Sequence, residues 1–403
     1  MLGSLFTGIT GMNANSRVMS VIGDNIANAN TTGYKSGRAS FEDILGQSIG
    51  GRRGQIGRGV TLSSINRVFS QGALSSTERV TDMAINGNGF FTVKEASGVY
   101  YTRAGEFTLD ENAKLVNPNG LVVQGWMADS SGNLTTTNAT TDINLANTNS
   151  SPKATTAFTI GANLDAQAAN GDTYTTSITG YDSKGSKVTL TLDFTYDSTN
   201  DEWDWTASAS DGATTNTGSI SFDANGNLNS PVTDPTISIT GLSSGAADLS
   251  LTWDLVDASG TSNGDITGYA SASTTTSQYQ DGYSAGSLQN ITVDENGVVT
   301  GLFSNGQIKD LAQVALADFN NPAGLISMGG NLFAESRASG SAIIGPASTA
   351  GRGSITSNSL ELSNTDLANE FVNMITAQRG FQANARVITA SDELLTELVN
   401  LKR

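Results

Sequence analysis

The sequence predicts a mainly β protein with long terminal α-helices. It is a nested multidomain chain whose N- and C-terminal helices pair as a coiled coil. Two β-rich domains lie between them, the outer one inserted in the inner. Three observations carry this reading. At the C-terminus Leu367, Phe371, Met374, Phe381, Ala385, Ile388, Leu395 and Val399 fall on one 3–4 repeat, interrupted only by Gln378 and Asp392. At the N-terminus Leu2, Leu5, Ile9, Met12, Met19, Ile22 and Ile26 form a looser stripe of helical spacing. Between the two stripes the helical period gives way to alternation and Asn-Gly turns.

The first helix is expected from Leu2 to Asn28, stopping in the turn formers Asn28-Ala29-Asn30-Thr31-Thr32-Gly33. It contains Gly8, Gly11 and Gly23, each costing roughly 1 kcal/mol relative to alanine inside a helix. Such a helix needs a partner surface to persist, and its glycines would let that partner approach closely. Residues 31–70 read as an extended connector in which Gly46, Gly50, Gly51, Gly54, Gly57 and Gly59 surround Arg52, Arg53 and Arg58.

From about residue 70 the signals are those of strands. Asn-Gly at Asn86, Asn119, Asn225, Asn296 and Asn305 marks hairpins. Val188, Leu190, Leu192, Phe194 and Tyr196 alternate strictly with Thr189, Thr191, Asp193 and Thr195, and Leu249, Leu251, Trp253 and Leu255 repeat the pattern. Both read as half-buried antiparallel strands. Composition shifts near 145 and 284, so 145–284 is expected to be an outer insert within an inner β domain of 71–144 plus 285–357. Ser363 and Asp366 then read as a capping box opening a last helix that runs to about Leu401, with Lys402 and Arg403 at its negative end. Residues 1–30 plus 360–403 make the helical domain.

Composition narrows the function. The chain has 21 Lys+Arg against 38 Asp+Glu, a net charge of −17. Residues 1–70 hold seven basic and three acidic groups, whereas 145–284 hold three and sixteen. An acidic central block argues against nucleic-acid binding, which needs clustered Lys/Arg. There is no Cys and no His, which removes disulfides, thiolate chemistry and imidazole bases together. Zero cysteine suits a protein that stays unfolded through export. No secretory signal is visible, since Arg17 is the first basic residue, and no apolar run is long enough for a membrane span.

Chemistry-bearing motifs are lacking. Gly260-Thr261-Ser262-Asn263-Gly264 matches a nucleophile elbow in letters, but the elbow requires a histidine base. Asp197 to Glu202 has the opening of a calcium loop, with Glu202 where that loop needs glycine, and reads as a solvated hairpin turn. Glycine-rich 50–59 has no GK[ST], and Arg52, Arg53 and Arg58 read as an ordinary solvated connector. No enzyme activity, cofactor or metal is expected. The terminal stripes are either an intramolecular clasp or an assembly device, and a 3–4 repeat sustained over four heptads favours assembly.

A resemblance sharpens this. Asn25-Ile26-Ala27-Asn28-Ala29-Asn30-Thr31-Thr32-Gly33-Tyr34-Lys35 resembles the N-terminal signature of the bacterial flagellar rod and hook axial proteins. Phe371-Val372-Asn373-Met374-Ile375 and Gln378-Arg379-Gly380-Phe381-Gln382-Ala383-Asn384-Ala385 resemble the matching C-terminal signature. Asn86-Gly87-Asn88-Gly89-Phe90-Phe91 and Thr102-Arg103-Ala104-Gly105-Glu106-Phe107 look like that family's inner β domain. Rod members are shorter and lack a large insert, so the length and the 145–284 block point to the hook-forming members.

The resemblance implies a structural subunit that assembles with itself into a curved hollow joint passing torque from rod to filament. The helices would line the tube and 145–284 would face outward. It further implies flagellar type III export without a cleaved signal, and the distal rod, the hook cap, the hook–filament junction proteins and the export apparatus as partners. Two alternatives stay open at this point, a distal rod subunit and a monomeric secreted β module with clasped termini.

Overall fold

The computed structural model describes residues 2–44, 47–48, 55–129, 132–137, 139–146, 148–214 and 216–400. The chain forms two compact units. The first is Met1–Asn147, Ile291–Gly301 and Lys309–Arg403, the second Thr148–Asn290 and Leu302–Ile308. Strands dominate both, and two long helices stand at the chain ends, α1 (Leu2–Ala27) and α2 (Leu367–Asn400). This is the fold class the terminal stripes and the alternation predict.

In the first unit α1 and α2 pack on each other antiparallel. Ser4 Oγ lies 3.3 Å from Ser391 Oγ at one end, and Asn25 Nδ2 donates to Glu370 Oε1 at 3.2 Å at the other. The N–H and side-chain amide of Asn28 both donate to Asp24 O, at 3.1 and 2.9 Å, which closes the last turn of α1. Thr31 Oγ1 donates to Asn28 Oδ1 at 3.1 Å and continues the turn. Gly33 follows at φ +67°, where a β-carbon would stand 2.5 Å from the Ala104 backbone N. Only glycine fits so left-handed and so crowded a position.

The described part of the connector is more ordered than its composition suggests. Gly37–Asp43 pairs antiparallel with Val60–Arg67 in a long hairpin that folds back along α1, where Val60 N–H reaches Thr10 Oγ1 at 3.4 Å. Arg58 is exposed, whereas Arg52 and Arg53 lie outside the described residues.

Beyond the hairpin an aromatic cluster holds the inner strands. Phe90 (strand Phe90–Glu95) meets Phe69, Phe319 and Phe333 edge-on, with ring centroids 5.4–5.9 Å apart. Edge-to-face pairs of this kind each add about 0.5–1.5 kcal/mol beyond area burial. The strands leading to α2 are stitched back onto the strands that follow the connector. Ser354–Ser357 pairs with Met83–Asn86, and Ser359–Glu361 with Leu74–Ser76.

The start of α2 differs from the expected capping box. Asp366 itself is the cap, its Oδ1 accepting from Ala368 N at 2.9 Å and Asn369 N at 3.2 Å. Ser363 cannot serve, because Asn364 is held in extended chain. Its Oδ1 accepts from Ser36 N at 2.8 Å, and its Nδ2 donates to Val68 O at 2.7 Å.

The second unit contains two five-stranded sheets that share one core. Trp253 sits between them, with Phe158, Phe194 and Trp205 at ring-centroid distances of 5.6–6.1 Å. Lys187–Asp197 buries Val188, Leu190, Leu192 and Phe194 as its alternation predicts. Leu249–Trp253 is antiparallel to Thr236–Ile239 but parallel to Ala157–Asn163, so this sheet is mixed rather than purely antiparallel. Local alternation carries no information about the direction of a sequence-distant neighbour. Residues 197–202 form a hairpin turn, with Asp197 Oδ1 accepting from Thr199 N at 2.8 Å.

Candidate assembly site

The contact line between the helices runs through mostly small and polar residues on α1 and through large apolar residues alternating with smaller ones on α2. On α1 it passes through Ser4, Gly8, Gly11, Asn15, Val18, Ile22 and Asn25, an unbroken 3–4 repeat. A β-carbon at Gly8 would stand 3.1 Å from Ile388 Cγ1, and one at Gly11 2.8 Å from the Asn384 side-chain amide. Ile22 is buried against this line. On α2 the line uses Met374, Phe381, Ile388 and Leu395, all partly buried, with Ala377, Asn384 and Ser391 between them. Gly23 has open space where its β-carbon would be. Close approach therefore explains Gly8 and Gly11 but not Gly23.

The apolar stripe of α1 is offset from this line. Leu5, Ile9, Met12, Met19 and Ile26 each follow a contact residue by one position, about 100° around the helix, and all are only partly buried. Ile22 alone belongs to both sets. On α2 Leu367 and Phe371 are exposed, 44% and 52%, and the side chain of Val399 lies outside the described residues. The spacing of small residues is the signal that would have located the contact line. On α1 large apolar residues dominate a periodicity count and point one position away, whereas on α2 Met374, Phe381, Ile388 and Leu395 of the stripe lie on the line.

The signature segment builds the junction between helices and β unit. Buried Asn25 uses all its capacity, its Nδ2 donating to Gly37 O at 2.9 Å and to Glu370, its Oδ1 accepting from Gly37 N at 2.7 Å and Tyr34 Oη at 3.2 Å. Tyr34 Oη also reaches Asp24 Oδ2 at 2.9 Å and accepts from Arg67 at 2.8 Å, while the Arg67 guanidinium lies 5.0 Å from the Tyr34 ring centroid. Burial raises the Tyr34 pKa, with Arg67 opposing the shift. Asn28 and Thr31 form the helix-ending turn, and Asn30 is exposed.

Lys35 completes the junction underneath. Its Nζ lies 2.6 Å from Glu361 Oε1, and both side chains have no exposed surface. It also donates to Ser70 O at 2.8 Å. Glu361 Oε1 accepts from Gly72 N at 2.8 Å, Glu361 Oε2 lies 3.4 Å from Arg103, and the Glu361 carbonyl takes Gly33 N–H at 2.7 Å. Burial lowers the pKa of Lys35 and of Arg103, and Glu361 works against both shifts. One carboxylate on the strand before α2 thus ties the segment after α1, the connector and the inner strands together. Removing one partner of such a buried pair costs about 3–5 kcal/mol, because the other charge is left uncompensated. The sequence singles out Lys35 and Arg103 in two separate motifs but not Glu361, which lies 326 positions after Lys35 and meets both only in the fold.

Among the described residues no acidic cluster could hold a metal, and no helix is long and apolar enough to cross a membrane. The arrangement is that of a scaffold: two chain ends locked to a β body, with a helix pair carrying apolar surface.

Comparison with known proteins agrees with that description. Residues 5–35 match the profile described as flagella basal body rod protein, and 84–163 match the flagellar hook protein FlgE/F/G D1 domain. Residues 144–283 match the flagellar basal body protein FlaE D2 domain, and 356–401 the flagellar basal body rod FlgEFG protein C-terminal. Together they define an axial protein of the bacterial flagellum. The flagellar hook protein FlgE of Borreliella burgdorferi is 38% identical, with 100% of each chain covered. That of Escherichia coli K12 is 35% identical, with 98% of each covered. The crystal structure of Helicobacter pylori flagellar hook protein FlgE2 aligns at a TM-score of 0.48 and 16% identity, over 71% of this chain and all of the other. The chain belongs to the flagellar hook protein FlgE family. It is a structural subunit of the hook rather than an enzyme, and self-polymerisation along the flagellar axis follows from that membership.

Proposed function

We propose that copies of this chain polymerise through their terminal helices. Leu5, Ile9, Met12, Met19, Ile22 and Ile26 of α1 would act with Leu367, Phe371, Met374, Phe381, Ile388, Leu395 and Val399 of α2. In this reading 1–30 plus 360–403 form the inner tube, 31–70 the connecting shell, 71–144 plus 285–357 the inner β layer, and 145–284 the solvent side. The observation that carries it is apolar surface left over on a helix pair. Phe371 and Leu367 are exposed and the α1 stripe is only partly covered, on elements locked to the β body by Lys35 and Glu361.

Burial gains about 25 cal/mol per Å² of apolar surface, and this accumulates along every helix seam of a tube to give torsional stiffness. Outer domains rich in Thr, Ser and Asn slide past neighbours at little cost, which lets the tube bend while it turns. Heterologous, non-closing contacts give a helical polymer rather than a ring. The distal rod, the hook cap and the hook–filament junction proteins would contact its ends, and the flagellar export apparatus would deliver it without a cleaved signal.

Electron microscopy of the full-length chain under polymerising salt, beside a copy lacking 1–30 and 360–403, tests this. Curved hollow tubes are expected from the first and none from the second. Phe371→Asp should abolish tubes while the β units stay folded. Normal tubes from that variant would sink the helix-seam reading.

A further inference from the structure

Eight Asn-Gly dipeptides lie within the described residues, and each carries the same latent reaction. The glycine backbone N attacks the asparagine side-chain Cγ, since glycine has no side chain to obstruct it and the two groups are tethered. A C–N bond forms and closes a cyclic imide. The bond from Cγ to the amide nitrogen breaks, and that nitrogen leaves as ammonia with the proton released by the glycine N. Water then opens the ring at one of its carbonyls. The product is aspartate, or isoaspartate, in which the main chain runs through the former side-chain carbon.

The fold separates these pairs from one another. In seven of them the glycine N–H, whose nitrogen must attack, already donates a hydrogen bond at 2.9–3.0 Å. Gly87 gives it to Gln71 Oε1, Gly264 to Ser262 Oγ, and the other five give it to backbone carbonyls. Some side-chain amides are held as well. Asn305 Nδ2 donates to Ser284 O at 2.8 Å and to Ser150 Oγ at 3.1 Å, and Asn263 Nδ2 donates to Asp254 Oδ1 at 2.6 Å. Asn88-Gly89 is the exception. Asn88 is exposed, its side-chain amide has no hydrogen-bond partner among the described residues, and Gly89 N–H has no acceptor among them.

We infer that Asn88-Gly89 is the leading site of spontaneous deamidation in the folded chain, and that isoaspartate there weakens the strand pairing that leads to α2. The second half of this follows from what Asn88 touches. Its carbonyl accepts Gly353 N–H at 2.7 Å, and a β-carbon on the preceding Gly87 would stand 3.0 Å from Gly353 Cα. Gly353 precedes Ser354–Ser357, and Gly87 follows Met83–Asn86, so the contact lies at the end of that strand pair. Isoaspartate adds a backbone carbon inside the turn and moves the carbonyl that holds Gly353. Aspartate keeps the backbone path and only adds a charge at an exposed position.

The full-length chain is aged at mildly alkaline pH, once folded and once in urea. Digestion and mass spectrometry, with fragmentation that separates Asn88 from Asn86, then time the amide-to-acid exchange at every Asn-Gly pair. Each folded rate is divided by its rate in urea, which removes differences in local sequence. The ratio at Asn88 should exceed that of every other pair by roughly threefold or more, the factor that breaking one hydrogen bond imposes on the others. A larger ratio at another pair, or one at Asn88 no greater than at Asn225 and Asn305, overturns the assignment. Amide exchange in Ser354–Ser357 should accelerate as isoaspartate accumulates in the aged chain, and should stay constant in Asn88→Ser aged alongside. Exchange that is unchanged in the aged chain, or that accelerates equally in the variant, overturns the structural consequence.

Discussion

Asp223 illustrates how single residues set the hairpins of this fold. Its Oδ1 accepts from Asn225 N and Asn227 N, both at 2.8 Å, and Gly226 closes the loop at φ +79°. Asp182, Asp257 and Asp294 do the same for the N–H groups two and four residues on, each with a left-handed glycine three residues on. This is a type I turn followed by a glycine bulge. The Asn-Gly dipeptides at Asn225 and Asn296 were therefore sound hairpin markers, but the aspartate two residues earlier is the anchor. Hydrogen bonds, first that from Asn227 N–H, hold the Asp223 pKa below the ordinary carboxylate value.

A depressed carboxylate pKa contributes stability that is present above the unfolded pKa of about 3.9 and lost as pH falls through the folded value. Asp223→Ala should accordingly lower the urea midpoint of the second unit at neutral pH. The difference from the unsubstituted chain should shrink as pH falls through the folded value of Asp223, where its charge is lost. A penalty that persists undiminished in acid would show that the charge is not what the turn uses.

At the scale of elements the helix pair is the informative case. Both helices, with their approximate ends, are legible from 3.6-residue periodicity, and the end of α1 from Asn28 and the turn after it. The contacting face of α2 is legible in part, since Met374, Phe381, Ile388 and Leu395 of its stripe lie on the contact line, but that of α1 is not, because its line follows mostly small and polar residues. Gly11→Leu tests this directly. It puts a large side chain where a single β-carbon already comes within 2.8 Å of Asn384, and overpacking of this kind costs roughly 1–3 kcal/mol. Amide exchange across α1 and α2 should accelerate, with the inner strands unchanged. Leucine is the better helix former, so increased protection would mean that the helices do not approach as closely as the glycines imply.

For the whole molecule the buried charges and the tryptophans report on different parts. Three of the four Trp residues, Trp203, Trp205 and Trp253, lie in the core of the second unit, whereas Glu361 lies in the first. Glu361→Gln leaves Lys35 and Arg103 without a buried counter-charge and should cost the first unit about 3–5 kcal/mol. Scanning calorimetry should show one transition displaced downward, while the tryptophan emission midpoint stays in place. Equal displacement of both would mean that the junction stabilises the chain as a single cooperative body.

The sequence by itself determined the class of fold, the alternation of the strand around Leu192, the hairpin positions and both terminal helices. Each of these depends on residues within a few positions of one another, where period and turn chemistry act directly. Tertiary structure decided which residues of α1 touch α2, that Asp366 rather than Ser363 caps α2, and that part of the second unit's sheet is parallel. It also decided that Lys35, Arg103 and Glu361 share one buried site. These outcomes turn on partners brought together from distant parts of the chain, where packing at close range outweighs any local preference, and a one-dimensional pattern records neither the distance nor the partner.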